Sequence, residues 1–291
     1  MIESWNEYKF FEDELRKFVE NVDASPKIKN ALKYIVEAGG KRVRPLIVLI
    51  TGKMFGSDLN KLLNLAFAVE FIHTASLIHD DIIDRAERRR SRITLHKKYN
   101  LPLALLLGDW LISKSVELTS IYGEEIIGEF ARAGMRMCEG EILDVYSKAE
   151  KINEKEYFEC IEKKTAALFA YSAKNSCYIA CKNKDYADKM FEYGLNLGLA
   201  YQIVDDLLEY TNTLKDKVAG EESRTILHIY EENFGKKDAI KKVLEIIEKH
   251  SKVSKRALSG FKDSEERRKL EYVVDFMTFE LLKRSLPELF E

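Results

Sequence analysis

Residues 79–84 read His-Asp-Asp-Ile-Ile-Asp, and residues 205–209 read Asp-Asp-Leu-Leu-Glu. On a helix, positions four apart share a face, so Asp80 stands against Asp84 and Asp205 against Glu209. Carboxylates stacked in this way repel unless a cation bridges them. Two such clusters, far apart in the chain, point to one polyvalent metal site. Magnesium suits it best, because it takes oxygen ligands, keeps several waters and is usually held by one or two carboxylates together with substrate phosphates. The implied ligand is a phosphorylated small molecule.

Two cationic segments accompany the acids. Gly39-Gly40-Lys41-Arg42-Val43-Arg44-Pro45 places three cations on a tight turn, where the glycines let backbone approach an anion and Arg44 can make paired hydrogen bonds to phosphate. Arg88-Arg89-Arg90-Ser91-Arg92 adds a second patch directly after the first aspartates. Either segment alone reads as a solvated basic surface. Beside the acidic clusters they read otherwise: metal recruits one diphosphate to the aspartates while lysine and arginine hold a second without it, which implies two phosphorylated substrates.

The elements that must position these groups are helices. The chain has 291 residues, 46% of them hydrophobic, enough for one large core. With 14 Gly and 4 Pro, and neither between residues 57 and 101 or between 141 and 193, long helices dominate and the class is all-α. Helices are predicted over 5–21, 26–38, 43–55, 58–85, 92–99, 104–121, 123–149, 154–181, 184–211, 223–231, 236–258 and 263–290. One domain over 1–291 is expected, with residues 212–223 as a loop able to close over a ligand. A net charge of −2 provides no global field for nucleic acid. Cys138, Cys160, Cys177 and Cys181 lie in apolar helical contexts without zinc-ligand spacing, and Cys177 and Cys181, which share a helix face, read as packing residues. No signal peptide is visible at the amino terminus, and the apolar stretch 101–112 falls short of the roughly 18–20 residues of a membrane span, so a soluble, cytoplasmic protein is expected.

The ordered set GGKRVRP at 39–45, HTASLIHDDIID at 73–84, RRSRIT at 89–94 followed by His96, GDWL at 108–111, Lys164-Thr165 and YQIVDDLLE at 201–209 resembles the trans-isoprenyl diphosphate synthases over nearly the whole chain. The resemblance implies an isoprenoid-synthase-like helical bundle around a central cavity, usually a homodimer. It implies an enzyme that condenses isopentenyl diphosphate with an allylic diphosphate, using two or three Mg2+ ions per site, with Mn2+ able to substitute. By position, Asp80, Asp81, Asp84, Asp205, Asp206 and Glu209 become metal-binding residues. Arg89, Lys164 and Lys217 fall on the allylic diphosphate, and Lys41, Arg44, His73 and Arg90 on that of isopentenyl diphosphate. Thr165 and Gln202 fall near the developing allylic cation. The departed diphosphate itself takes the proton, so His73 and His79 are not read as acid–base groups.

Product length is expected to be set on the helix of the first cluster. A bulky aromatic occupies the position of Ala75 in some short-product relatives; here Ala75 and Ser76 leave room, and Phe71 and Ile72 are the candidate floor. A product of geranylgeranyl length or longer follows. The chain departs from the family pattern in Glu209 where Asp is usual, in Ser91 and Ile93 where glycine and proline are usual, and in a shorter segment after residue 209. Two other readings compete: a non-catalytic subunit of a heteromeric synthase, motivated by Glu209 and the shortened segment, and a terpene cyclase, against which Lys41, Arg44 and Arg90 argue.

Overall fold

The protein is described here by a computed structural model covering residues 2–89, 92–148, 151–211 and 224–290. Among the described residues there are fourteen α-helices: α1 Asn6–Asn21, α2 Pro26–Val36, α3 Val43–Met54, α4 Leu63–Ile83, α5 Leu95–Lys98, α6 Leu101–Ser120, α7 Glu124–Ser147, α8 Glu154–Ile161, α9 Ala167–Cys181, α10 Lys184–Tyr210, α11 Ile226–Phe234, α12 Lys236–Leu258, α13 Glu265–Met277 and α14 Phe279–Ser285. The bundle is built around α3 and α4, which are apolar on every side. In α3 the run Pro45–Gly52 is buried without interruption, and in α4 so is Leu65–Ile72. A helix apolar all round belongs in the interior. The segment Leu59–Ile83, with mean hydropathy 1.4, is the one described segment long and apolar enough to cross a membrane, and 61% of its most apolar window is buried within the bundle. The sequence reading overlooked it in favour of 101–112, which is the weaker stretch.

Two cores meet at α3. Val48 and Leu49 join Phe11 and Leu15 of α1, the face Phe67–Phe71 of α4, and Leu107 and Leu111 of α6. Ile47 and Ile50 turn the other way, onto Phe169 of α9, Tyr193 and Leu197 of α10 and Val273 of α13.

Three helix expectations need correction. Residues 92–99 begin as a strand, Arg92–Ile93, paired antiparallel with Arg88–Arg89, before the short α5. The predicted helix 263–290 breaks at Thr278, whose φ of −118° and ψ of −95° interrupt the hydrogen-bond ladder between α13 and α14. Residues 154–181 are helical throughout but contain a π segment, Glu162–Ala166.

The two ends of the chain are tied by Glu7, a fully buried carboxylate. Lys53 Nζ donates to it at 2.9 Å and Lys269 Nζ at 3.0 Å. Burial pushes its pKa up, but the hydrogen bonds from Lys53 and Lys269 outweigh burial and hold it below the ordinary glutamate value. A carboxyl so held contributes stability above its unfolded-state pKa, and that contribution is lost as pH falls through the folded value. Glu7→Gln should therefore cost about 2–3 kcal/mol near neutrality. The gap in melting temperature between wild type and variant should close below about pH 4. A gap independent of pH would show that Glu7 stabilises by shape rather than by charge.

Candidate active site

The last turn of α4 carries the first aspartates. Arg85 follows in the left-handed region at φ 52°, where glycine is usual, and the turn closes with Ala86 N–H on the Asp81 carbonyl at 2.9 Å and Arg85 N–H on that of Ile82 at 3.2 Å. This sharp stop leads into the strand Arg88–Arg89 and brings Arg89 back onto its own helix. Arg89 Nε donates to Asp81 Oδ1 at 2.7 Å. Asp81 is buried, while Asp80 is half-buried and Asp84 exposed.

Among the described residues the Asp80 carboxylate makes no hydrogen bond and no ion pair. Burial, the nearby charge of Glu141 and that of Asp84 push its pKa up to about 7, against the pull of Lys164 and Arg89. Asp84 Oδ1 accepts from Lys148 Nζ at 2.6 Å.

Lys164 and Thr165 lie in the π segment, a distortion that recurs at functional sites. Gly140 permits the approach of α7 to this segment: a Cβ there would lie 2.1 Å from the Lys164 backbone nitrogen. The close crossing sets Lys164 Nζ 2.6 Å from Asp144 and 2.8 Å from Glu141. Burial works against its charge, but Asp144, Glu141 and Asp80 outweigh burial and hold the ammonium well above its ordinary value. Thr165 Oγ1 donates to Gln202 Oε1 at 2.6 Å, Gln202 Nε2 donates to Asp206 Oδ1 at 2.8 Å, and Tyr157 O–H donates to Asp206 Oδ2 at 2.6 Å. Asp206 is buried, and burial raises its pKa to about 7 although Tyr157 and Gln202 pull it down. Asp205 and Glu209 are half-buried on the same helix, four residues apart.

The second cationic group is assembled at the start of α3. Arg44 Nη1 lies 3.1 Å from His73 Nε2, and its guanidinium stacks 4.2 Å above the Phe169 ring. Lys41 is exposed, with its Nζ 5.7 Å from the centre of the Phe276 ring. Arg42, the remaining cation of that turn, is buried against Glu12 and Glu70. His73 is seven residues before Asp80, so the two charge groups lie about two turns, or ~10 Å, apart along α4.

His79 Nε2 is 3.3 Å from the Leu105 carbonyl and 3.7 Å from Asp109, the structural role expected of it. Gly108 of the GDWL motif makes room for that ring, since a Cβ would come within 2.1 Å of Nε2. Cys177 and Cys181 pack together as expected, Sγ to Sγ 3.8 Å, and burial pushes the Cys160 thiol up to about 12, whereas Cys138 is exposed. Arg90, Lys217 and the segment 212–223 lie outside the described residues. A cavity of about 190 Å3 among α7, α9 and α10 touches none of the predicted site residues; the site is assigned from its charges and their spacing.

Among the described residues no three His, Cys, Asp or Glu side chains converge into a group that would hold an ion alone. Asp80 and Asp84 offer two oxygen donors at helical spacing, and the strained ionisation of Asp80 is relieved by a cation. This fits an ion completed by water and substrate oxygens rather than an all-protein cage. Glu141, Asp144, Lys148 and Tyr157 were missed in the sequence; the one available signal was the spacing of Glu141 and Asp144, three apart on one helix face.

Comparison with known proteins bears on the same residues. Residues 25–259 match the family model for polyprenyl synthetase. The chain is 38% identical over 282 residues to a geranylfarnesyl diphosphate synthase of Methanosarcina mazei, covering 97% of this chain and 95% of that protein. It is 36% identical over 262 residues to a geranylgeranyl diphosphate synthase of Sulfolobus acidocaldarius, covering 85% and 79%. A crystal structure of a geranyltranstransferase from Methanosarcina mazei superposes with a TM-score of 0.85 at 37% identity, covering 97% of this chain and all of that one. With ordered motifs, helical architecture and this coverage in agreement, the chain belongs to the polyprenyl synthetase family.

Proposed function

We propose that this protein is a magnesium-dependent prenyltransferase that joins isopentenyl diphosphate head-to-tail to an allylic diphosphate, giving an all-trans polyprenyl diphosphate of geranylgeranyl length or longer. The observation that carries this reading is the placement of two charge groups about two turns apart along α4, one acidic at Asp80 and Asp84, the other at His73, where Arg44 of α3 meets it. The names of the relatives, geranylfarnesyl and geranylgeranyl diphosphate synthase, agree with the product class. Neither a terpene cyclase nor a non-catalytic subunit is favoured: the first lacks a use for the Arg44–His73 group, the second for an intact first cluster.

Asp80, Asp81 and Asp84 on α4, and Asp205, Asp206 and Glu209 on α10, would hold separate magnesium ions completed by water and substrate oxygens, with Asp81 oriented by Arg89 and Asp206 by Tyr157 and Gln202. When held there, magnesium would supply positive charge to the diphosphate and so ease its departure. Arg89 and Lys164, with Lys217, bind the same leaving group, so charge that develops as the allylic carbon–oxygen bond breaks meets fixed cations. Lys41, Arg44, His73 and Arg90 orient isopentenyl diphosphate, whose double bond attacks the allylic carbon. A proton then leaves the adjacent carbon for the departed diphosphate. Gln202 is held by Asp206 with its amide nitrogen toward that acid, so its oxygen and the Thr165 hydroxyl present lone pairs to the positive charge.

A homodimer is the expected assembly. Leu105, Leu106, Val116, Met135, Ile142 and Tyr146 leave an exposed apolar surface on α6 and α7. The tie between Glu7 and Lys269 supports one domain over 1–291, and a cytoplasmic location agrees with a buried rather than membrane-facing α4.

The deciding assay is chromatography of products from purified protein given isopentenyl diphosphate and each short allylic starter; failure to consume isopentenyl diphosphate with every starter overturns the reading. Arg44→Ala should raise the KM for isopentenyl diphosphate at least about tenfold and leave that for the allylic partner within about twofold, because the lost charge-assisted contact serves one substrate. Equal rises in both constants would contradict two separate sites.

A further inference from the structure

Arg42 is the second of the three cations in the 39–45 turn, yet it is withdrawn from solvent. It is 7% exposed and sits in the left-handed region at φ 49°, an uncommon conformation for a side chain of this size. Its guanidinium is consumed on three sides: Nε donates to Glu12 Oε1 at 2.7 Å, Nη1 to Glu70 Oε1 at 2.6 Å and Nη2 to the Val36 carbonyl at 3.1 Å. Tyr8 O–H adds a bond to the Gly40 carbonyl at 3.2 Å. Glu12 and Tyr8 belong to α1, Val36 to the end of α2, and Glu70 to α4.

Glu70 lies one turn before His73 on α4, and His73 meets Arg44 two residues beyond Arg42. The turn is thus pinned to α4 twice in succession, at Glu70 through Arg42 and at His73 through Arg44. A left-handed residue persists where its surroundings over-determine it, and three charge-assisted bonds from three elements do so here. Simple burial of charge gives no reason for the arrangement, since an ion pair of this kind adds little stability over a well-packed apolar pair. Its effect is positional: the direction in which Lys41 and Arg44 leave the backbone is fixed relative to the helix that carries Asp80.

We propose that Arg42, with Glu70, Glu12 and Tyr8, is a positioning device that sets the anion-binding geometry of Lys41 and Arg44 for isopentenyl diphosphate without touching that substrate. The inference rests on the elongation reading given above.

The test is the double variant Arg42→Met/Glu70→Met, which removes both buried charges together, beside the milder Glu12→Gln and Tyr8→Phe. Each is measured for melting temperature, kcat and both Michaelis constants. The double variant leaves Glu12 without its partner and should lower the melting temperature somewhat, raise the KM for isopentenyl diphosphate about tenfold or more, and change the allylic KM and the kcat at saturation by less than about threefold. Glu12→Gln and Tyr8→Phe should shift the same single constant by smaller factors. Should the double variant unfold, the proposal stands or falls on these two. Wild-type turnover together with an unchanged isopentenyl KM in the folded variants, or equal rises in both constants, overturns the proposal alone. A wild-type protein that elongates no allylic starter overturns the elongation reading, and the proposal with it.

Discussion

Asp80→Ala should lower turnover about a hundredfold or more, some 3 kcal/mol of transition-state stabilisation, while leaving thermal stability unchanged or raised. The two halves of this expectation come from one observation. The Asp80 carboxylate has no hydrogen-bond or ion-pair partner among the described residues, and burial with the charge of Glu141 lifts its pKa to about 7. A group so placed costs the fold energy near neutrality, and its removal relieves repulsion against Asp84 and Glu141. The contrast is Asp81→Ala, which abandons Arg89 at 2.7 Å and should lower both stability and turnover. Chelator should abolish product formation by wild type, and magnesium or manganese should restore it. Undiminished turnover in chelator, or an Asp80→Ala enzyme within a few-fold of wild type, would sink the assignment of the first cluster.

The legible and illegible parts of the site differ in a physical way. Asp80, Asp84, Asp205 and Glu209 could be read because helical spacing turns adjacent acids into a repulsion that needs explanation. Thr165 and Gln202 came from motif order, and their bond at 2.6 Å joins the π segment before α9 to α10. Lys148 carried no such signal, since one lysine at the end of a polar helix looks like solvated surface; only the packing of α7 beside α4 brings it to Asp84. Arg42 carried none either, since nothing local records that Glu12 and Glu70, 30 and 28 residues away, draw it inward. The helices themselves followed from periodicity and scarce Gly and Pro. The pairing of 88–89 with 92–93 did not, because it spans only two residues a side.

Ala75→Phe should shorten the product by at least one isoprene unit, and Phe71→Ala should lengthen it. Ala75 is five residues before Asp80, about 7.5 Å down the helix from the carboxylates that would anchor the diphosphate, and Phe71 is one further turn, ~6 Å, beyond. Each turn is comparable to one extended unit of the growing tail. Ala75 is fully buried and small, and Ser76 spends its hydroxyl on the His73 carbonyl at 2.9 Å, so neither side chain by its own size would block a tail running along this face. Phe71 would. Its ring stacks on Phe67 at 6.0 Å with planes 7° apart, and Phe18 of α1 packs against both, at 5.0 and 5.1 Å. Three locked aromatic rings make a stiffer floor than Ile72, which sits one residue round the helix and leans toward Gly134 of α7. A phenyl ring at 75 moves the obstruction one turn nearer the reacting carbon. Removing the ring at 71 opens the level below at a cost of about 3–5 kcal/mol in stability, so that variant is best assayed at reduced temperature. Chromatography of the dephosphorylated alcohols reads both results, and unchanged products in the two variants would show that a helix other than α4 sets the floor.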